Sequence, residues 1–252
     1  MKITTRQIVV TAAMVAIVIV LSAPPLRLGY IPFFLGVAIT VIHIPVIIGA
    51  IMEGPLVGLI VGLCFGLSSL MWAYLAPTGP IDLYFRNPLI AVLPRLFIGL
   101  VAYLVYRLAR ADKPWKTVLV LGIILCLAVA AIVAAYATPI LGGDAGLQLL
   151  VLIASLVLGG LAVVGLVLAV VRSSAAGAIG AAAAAGTLTN TVLVLTALGL
   201  LGDPPLPAAA LVAAGLANGI PEIVAAVIIT VAVVAAWKQI EVGRKGSHIL
   251  ND

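Results

Sequence analysis

Charge is what this sequence has least of. Only 8% of its 252 residues are Asp, Glu, Lys or Arg, while 65% are hydrophobic; soluble domains carry about three times that share of charge. So few ions cannot cover a water-facing surface, which excludes the soluble fold classes. No polar stretch is long enough to fold alone, the run after Trp237 included. Cysteine numbers two, and Cys64 and Cys126 both lie in apolar runs, which argues against a disulfide framework. Histidine also numbers two, and no His, Cys, Asp or Glu group has the spacing of metal ligands. A P-loop, a Ser/His/Asp arrangement and a paired-carboxylate site are all missing. An enzyme, a metal site and a bound cofactor are therefore not expected, and ATP hydrolysis would need a separate protein.

What the chain has in quantity is apolar length. Runs bounded by Pro, Gly and Asp punctuation fall at 8–23, 34–52, 55–76, 88–108, 115–138, 147–171, 175–201 and 207–237. A membrane-crossing helix takes about 20 apolar residues, whereas barrel strands would be about 10 residues of strict alternation. The expectation is an all-α polytopic membrane protein, a bundle of about eight transmembrane helices. Lys2 and Arg6 ahead of the first run resemble a signal peptide, but without a small-x-small cleavage site the segment reads as a retained helix. The net charge of +5 follows membrane topology rather than nucleic-acid binding, because basic residues flank the apolar runs. With the N-terminus inside, Lys2, Arg6, Arg107, Arg110, Lys113, Lys116, Arg172, Lys238, Arg244 and Lys245 are all cytoplasmic, ten of the thirteen cations. Both termini are then cytoplasmic.

Small residues carry the helix packing. Gly54, Gly58, Gly62 and Gly66 recur every four positions, as do Ala12 and Ala16, and Ala209, Ala213 and Ala217. Such ridges let backbones approach closely in lipid, either inside the bundle or against another subunit.

Polar groups at membrane depth are costly and are functional candidates by default. The outward connection between the third and fourth runs gathers Trp72, Tyr74, Tyr84 and Phe85 around Asp82, Arg86 and Asn87. Aromatic faces with a forked cation suit a small organic anion; an interfacial aromatic belt with a snorkelling arginine is the alternative. Arg95 lies eight residues past Asn87, about 12 Å further in, and must pair with something. Glu222 is its natural partner, as an ion pair, as a shared ligand contact, or as both. Asn218, Gly219, Pro221 and Glu222 stand where the long last run could break, with Pro221 opening a new helix and Glu222 at its positive end. Thr187, Thr189, Asn190 and Thr191 add a neutral hydrogen-bonding patch. His43, ahead of Pro45, reads as a packing partner rather than a proton relay.

Several of these residues form an ordered series. Residues 35–58 (LGVAITVIHIPVIIGAIMEGPLVG) and 65–69 (FGLSS) resemble the substrate-binding S components of energy-coupling factor (ECF) vitamin transporters. So do 85–95 (FRNPLIAVLPR), 186–191 (GTLTNT) and 220–222 (IPE). The resemblance implies high-affinity capture of a vitamin in an occluded outward-side pocket. It also implies a membrane-embedded T component and two cytoplasmic ATPases as partners. It assigns the loop at 27–33, with Arg27, Tyr30 and Phe33, as the pocket's gate, and Ala12 and Ala16 as the face that meets the T component. The candidate substrate contacts are Trp72, Tyr74, Asp82, Tyr84, Arg86, Asn87, Arg95, Thr187, Asn190, Asn218 and Glu222.

The departure from the family is two extra spans. The chain reads as one membrane domain, an S-component-like core at 1–112 and 174–240, with an inserted helix pair at 113–173 and a cytoplasmic tail at 241–252. A carboxylated vitamin suits the arginines, with pantothenate and folate first; riboflavin and pyridoxine remain open because Trp72 and Tyr84 could stack on a ring. The rival function is a stand-alone ion-coupled transporter of a small organic anion, which needs a path of intramembrane carboxylates where only Glu222 qualifies. The setting is a prokaryotic cell membrane.

Overall fold

Five helices are long and apolar enough to cross a membrane among the residues that the computed structural model describes, 3–24, 27–32, 38–110, 175–204, 206 and 208–249. The elements run α1 (Thr5–Ser22), β1 (Tyr30–Pro32), β2 (Ala38–Thr40), α2 (Ile44–Glu53), α3 (Pro55–Leu75), α4 (Pro80–Tyr84), α5 (Pro88–Ala91), α6 (Leu93–Ala109), α7 (Ala175–Leu201) and α8 (Ala208–Ile249). The fold is a helical membrane bundle with one small hairpin. The spans expected at 115–138 and 147–171, and with them the inserted pair, lie outside the described residues.

Local chemistry sets the boundaries. Thr4 caps α1 in a reciprocal box with Gln7, at 3.2 and 3.0 Å, satisfying two free N–H groups. Proline occupies the first turn of α2, α3, α4, α5 and α6, where its missing N–H costs nothing. Gly54 joins α2 to α3 at φ 100°, a region that glycine enters without strain.

The run at 34–52 is not one span. Its first part pairs back on the chain as an antiparallel hairpin, Tyr30 opposite Thr40 and Ile31 opposite Ile39. The helix begins only at Ile44, behind His43 and with Pro45 in its first turn. Pro45 is at ease in the first turn of α2, where its missing N–H costs nothing, whereas within a helix continuing from residue 34 its ring would displace the carbonyl four residues back. At ten residues α2 covers about 15 Å, half of a core about 30 Å thick. Residues Ile44 to Ile51 are all buried, which makes α2 the centre of the bundle, touched by α1, α3, α6, α7 and α8.

The last run also differs from expectation. α8 continues unbroken through Pro221, so Glu222 stands mid-helix rather than at a helix N-terminus. Proline inside a membrane helix is tolerated where neighbouring groups satisfy the freed carbonyl. The helix also extends to Ile249, into the region read as the tail at 241–252.

The glycine ridge packs inside the bundle. A methyl on Gly58 would lie 2.9 Å from the Gly99 Cα, and one on Gly66 2.7 Å from the Val92 Cα. At Gly62 it would collide with the carbonyl oxygen of Arg95. The ridge therefore fixes how closely α6 approaches α3, and with it the position of Arg95. The other end of the bundle is tied by Arg6 to Glu53 at 2.5 Å and by Gln7 to the Glu53 carbonyl at 3.0 Å.

Candidate functional site

Away from the Arg6–Glu53 end, the bundle opens into a cavity of about 450 Å³, within the size range of small-molecule sites. α3 and α6 supply Phe65, Trp72 and Arg95; α7 and α8 supply Asn190, Thr191, Asn218 and Glu222; the hairpin supplies Tyr30 and Thr40. Non-helical backbone at membrane depth is tolerated where it lines such a space.

Arg95 is the site's least satisfied group. It is 5% exposed, and its Nη1 donates to the Ile90 carbonyl at 2.5 Å. The guanidinium carbon lies 5.4 Å from the Phe65 ring centre and 4.9 Å from that of Phe85. Its Nε has no partner, and no acidic residue pairs with it among the described residues. Two ring contacts and one carbonyl bond contribute about 1 kcal/mol each. Burying an ion costs several kcal/mol, so these contacts do not balance it. The free Nε–Nη2 edge has the geometry that grips a carboxylate with two parallel bonds.

The expected Arg95–Glu222 pair is not formed. Glu222 is 5% exposed, and its Oε1 accepts the backbone N–H of Thr40 at 2.8 Å. The physical reason is the hairpin: a helix at 34–52 would have bonded the Thr40 N–H internally, whereas a strand end leaves it seeking an acceptor. Four further buried polar atoms of cavity-lining residues have no partner, Arg27 Nε, Trp72 Nε1, Asn190 Oδ1 and Asn218 Oδ1. Since most buried polar atoms are bonded, five unpaired atoms on residues around one cavity indicate a place for a polar guest.

Arg27 and Asp82 pair on the cavity lining. Arg27 Nη1 donates to Thr78 Oγ1 at 2.8 Å and to Asp82 Oδ2 at 3.2 Å, and Nη2 to the Ala76 carbonyl at 2.7 Å. Its backbone holds φ 37°, an unusual value for a non-glycine residue. Asp82 also accepts the Thr78 N–H and hydroxyl, both at 2.8 Å. Burial alone would raise its carboxyl, but the Thr78 bonds and the Arg27 guanidinium outweigh that and hold it below the usual carboxylate range. Asp82 thus lines the cavity with its oxygens already engaged, as a latch to the segment after α1.

Other expected contacts lie elsewhere. Tyr74 and Arg86 form an exposed surface pair, ring to guanidinium at 5.3 Å, with Arg86 Nε on the Ala73 carbonyl. Tyr84 donates to the Pro204 carbonyl at 2.8 Å, joining α4 to the α7–α8 connection. Asn87 caps α5 by accepting the Leu89 N–H. Thr187 is fully buried behind the cavity, with its hydroxyl on Ala183 O and on His43 Nε2 at 3.0 Å. Phe33 lies outside the described residues. Ala12 and Ala16 are exposed on α1.

Phe85 and Thr191, gathered by the sequence reading, line the cavity, whereas Phe65 and Thr40 were missed as lining residues. Phe65 had a usable signal, since it lies between Gly62 and Gly66 on the ridge that meets α6. Thr40 had none while its segment read as helix.

A family described as "ECF transporter, substrate-specific component" matches residues 6–174. Among curated proteins, the pantothenate transporter PanT of Leuconostoc mesenteroides subsp. mesenteroides is 35% identical over 100 residues. That alignment covers 38% of this chain and 48% of the relative, so the chain matches about half the relative's length. Since the family match takes in most of the 252 residues, the chain belongs to the substrate-specific components of ECF transporters.

Proposed function

We propose that this protein captures pantothenate, or a vitamin of the same carboxylate-and-amide chemistry, as the substrate subunit of an ATP-driven importer. The observation that carries the reading is buried Arg95, which lines the cavity with its Nε unpaired and with no acidic partner among the described residues, although Asp82 and Glu222 line the same space. Pantothenate brings one carboxylate to that edge, and an amide and two hydroxyls to Trp72, Asn190, Asn218 and Glu222. Folate is larger and carries two carboxylates; riboflavin and pyridoxine carry none, which leaves Arg95 unanswered. The partly matching pantothenate transporter points the same way.

In this reading Tyr30 and the hairpin cover the occupied cavity, and the Arg27–Asp82 latch holds the cover. Eight spans place both termini in the cytoplasm and turn the cavity outward. A T component docks along α1 at Ala12 and Ala16, and two ATPases supply the energy that this chain lacks. Mass spectrometry of the small molecule retained after purification tests the substrate: the expected ion is pantothenate. Uptake of labelled pantothenate into liposomes tests the role. Transport should require the T component and both ATPases, and uptake by this chain alone under an ion gradient would overturn the proposal.

A further inference from the structure

The walls of the cavity differ in hydrogen-bonding sense. Of the lining residues, α3 and α6 contribute Trp72 and Arg95, whose unpaired atoms are the donors Nε1 and Nε, whereas α7 and α8 contribute Asn190 and Asn218, whose unpaired atoms are amide oxygens. Glu222 lines the same side, four residues after Asn218 and so on the same helix face. An amide can turn over and present its NH₂, whereas a carboxylate only accepts. Glu222 therefore fixes the acceptor character of its wall.

We propose that Glu222 sets the specificity of the site, admitting carboxylates that carry hydroxyl donors away from the carboxylate and rejecting those that carry a second anion there. This rests on Arg95 as the carboxylate ligand and extends that reading from charge to polarity. A ligand with a second carboxylate would face the Glu222 oxygens across a small buried space, where like charges repel strongly. A ligand with no hydroxyl would leave the remaining acceptor capacity of Glu222 desolvated and unanswered, a penalty that makes such sites selective.

The test uses the purified full chain in lipid nanodiscs and three probes sharing one β-alanine carboxylate. Pantothenate carries two hydroxyls, N-pivaloyl-β-alanine lacks both, and N-succinyl-β-alanine ends in a second carboxylate. Calorimetric titration of the unsubstituted protein should favour pantothenate over each of the others by about 30-fold or more. Glu222→Gln keeps a carbonyl oxygen for the Thr40 N–H, so the hairpin stays tied. It should weaken pantothenate about 10- to 100-fold, leave the pivaloyl probe within about twofold, and strengthen the succinyl probe about tenfold or more. A gain in affinity cannot come from a misfolded protein. Equal weakening of pantothenate and the pivaloyl probe would overturn the proposal, placing Glu222 in hairpin support alone. Arg95-dependent binding of all three probes with one affinity would overturn it too, while leaving the carboxylate reading intact. Binding of none of them by the folded protein would overturn both.

Discussion

Replacing Arg95 with Met separates recognition from structure. Met fills much of the same volume between Phe65 and Phe85 without charge. The change removes two charge-assisted bonds to a ligand carboxylate, about 1.5–3 kcal/mol each. The expected loss of affinity is then about 10²- to 10⁴-fold. Stability should behave differently. Without ligand, Arg95 engages only the Ile90 carbonyl and two rings, about 1 kcal/mol apiece, against a burial cost of several kcal/mol. The empty protein should therefore unfold at the same temperature as before or higher. Had Arg95 been half of a buried ion pair, stranding its partner would cost about 3–5 kcal/mol. The assay pairs calorimetric titration of pantothenate with thermal unfolding in nanodiscs, with and without ligand. The unsubstituted protein should gain about 2.7 kcal/mol of protection at a ligand concentration 100 times Kd, and Arg95→Met should gain almost none. Affinity within threefold of the original, or a large drop in the unfolding temperature of the empty protein, would refute the reasoning.

Three further outcomes are expected. Gly62→Ala drives a methyl into the Arg95 carbonyl, so it should cost about 1–3 kcal/mol by overpacking and weaken pantothenate through displacement of Arg95; an unchanged unfolding temperature would contradict the close approach of α3 and α6. Because the Asp82 carboxyl is held low, the latch contributes stability above the unfolded-state pKa of about 4 and loses it as pH falls through the lower folded value. Asp82→Asn should release ligand faster and show a flatter decline in unfolding temperature below about pH 4; matching declines would remove Asp82 from the latch. Leu at both Ala12 and Ala16 should leave pantothenate affinity unchanged and abolish co-purification with the T component; retained assembly would move the docking face elsewhere.

Much of the architecture was legible because hydropathy and proline placement are local. The starts of α3 and α5 at Pro55 and Pro88 coincide with the starts of the runs at 55–76 and 88–108. The hairpin was not legible, since its β-branched, apolar run at 38–42 satisfies a helix and a buried strand equally. Only the pairing of Tyr30 with Thr40 decides between them, and that contact is not local. The continuous α8 escaped for the opposite reason. Pro221 and Gly219 suggest a break, but packing against α7 carries the helix through. In the site, the residue types were readable and their facing was not: Arg95, Asn190, Asn218 and Glu222 line the cavity, while Thr187, one turn before Thr191, points away to His43.

Three arginines stand at the cavity end of the bundle, and their chemistry in sequence is identical. Their bonding separates them. Arg27 makes three hydrogen bonds to Thr78, Asp82 and Ala76, so although its Nε is also unpaired its charge is answered by Asp82. Arg86 is exposed, with water available for whatever Ala73 and Tyr74 leave unmet. Arg95 is buried, keeps one carbonyl bond, and has an unpaired Nε. Lipid would select against that arrangement if it did nothing, since the other two show that local acceptors are within reach of an arginine at this end. Two rings on its faces and a glycine behind its backbone fix the guanidinium where its open edge meets the cavity. A cation that is held rigidly, shielded from water and left one acceptor short is preorganised for an anion that arrives from outside.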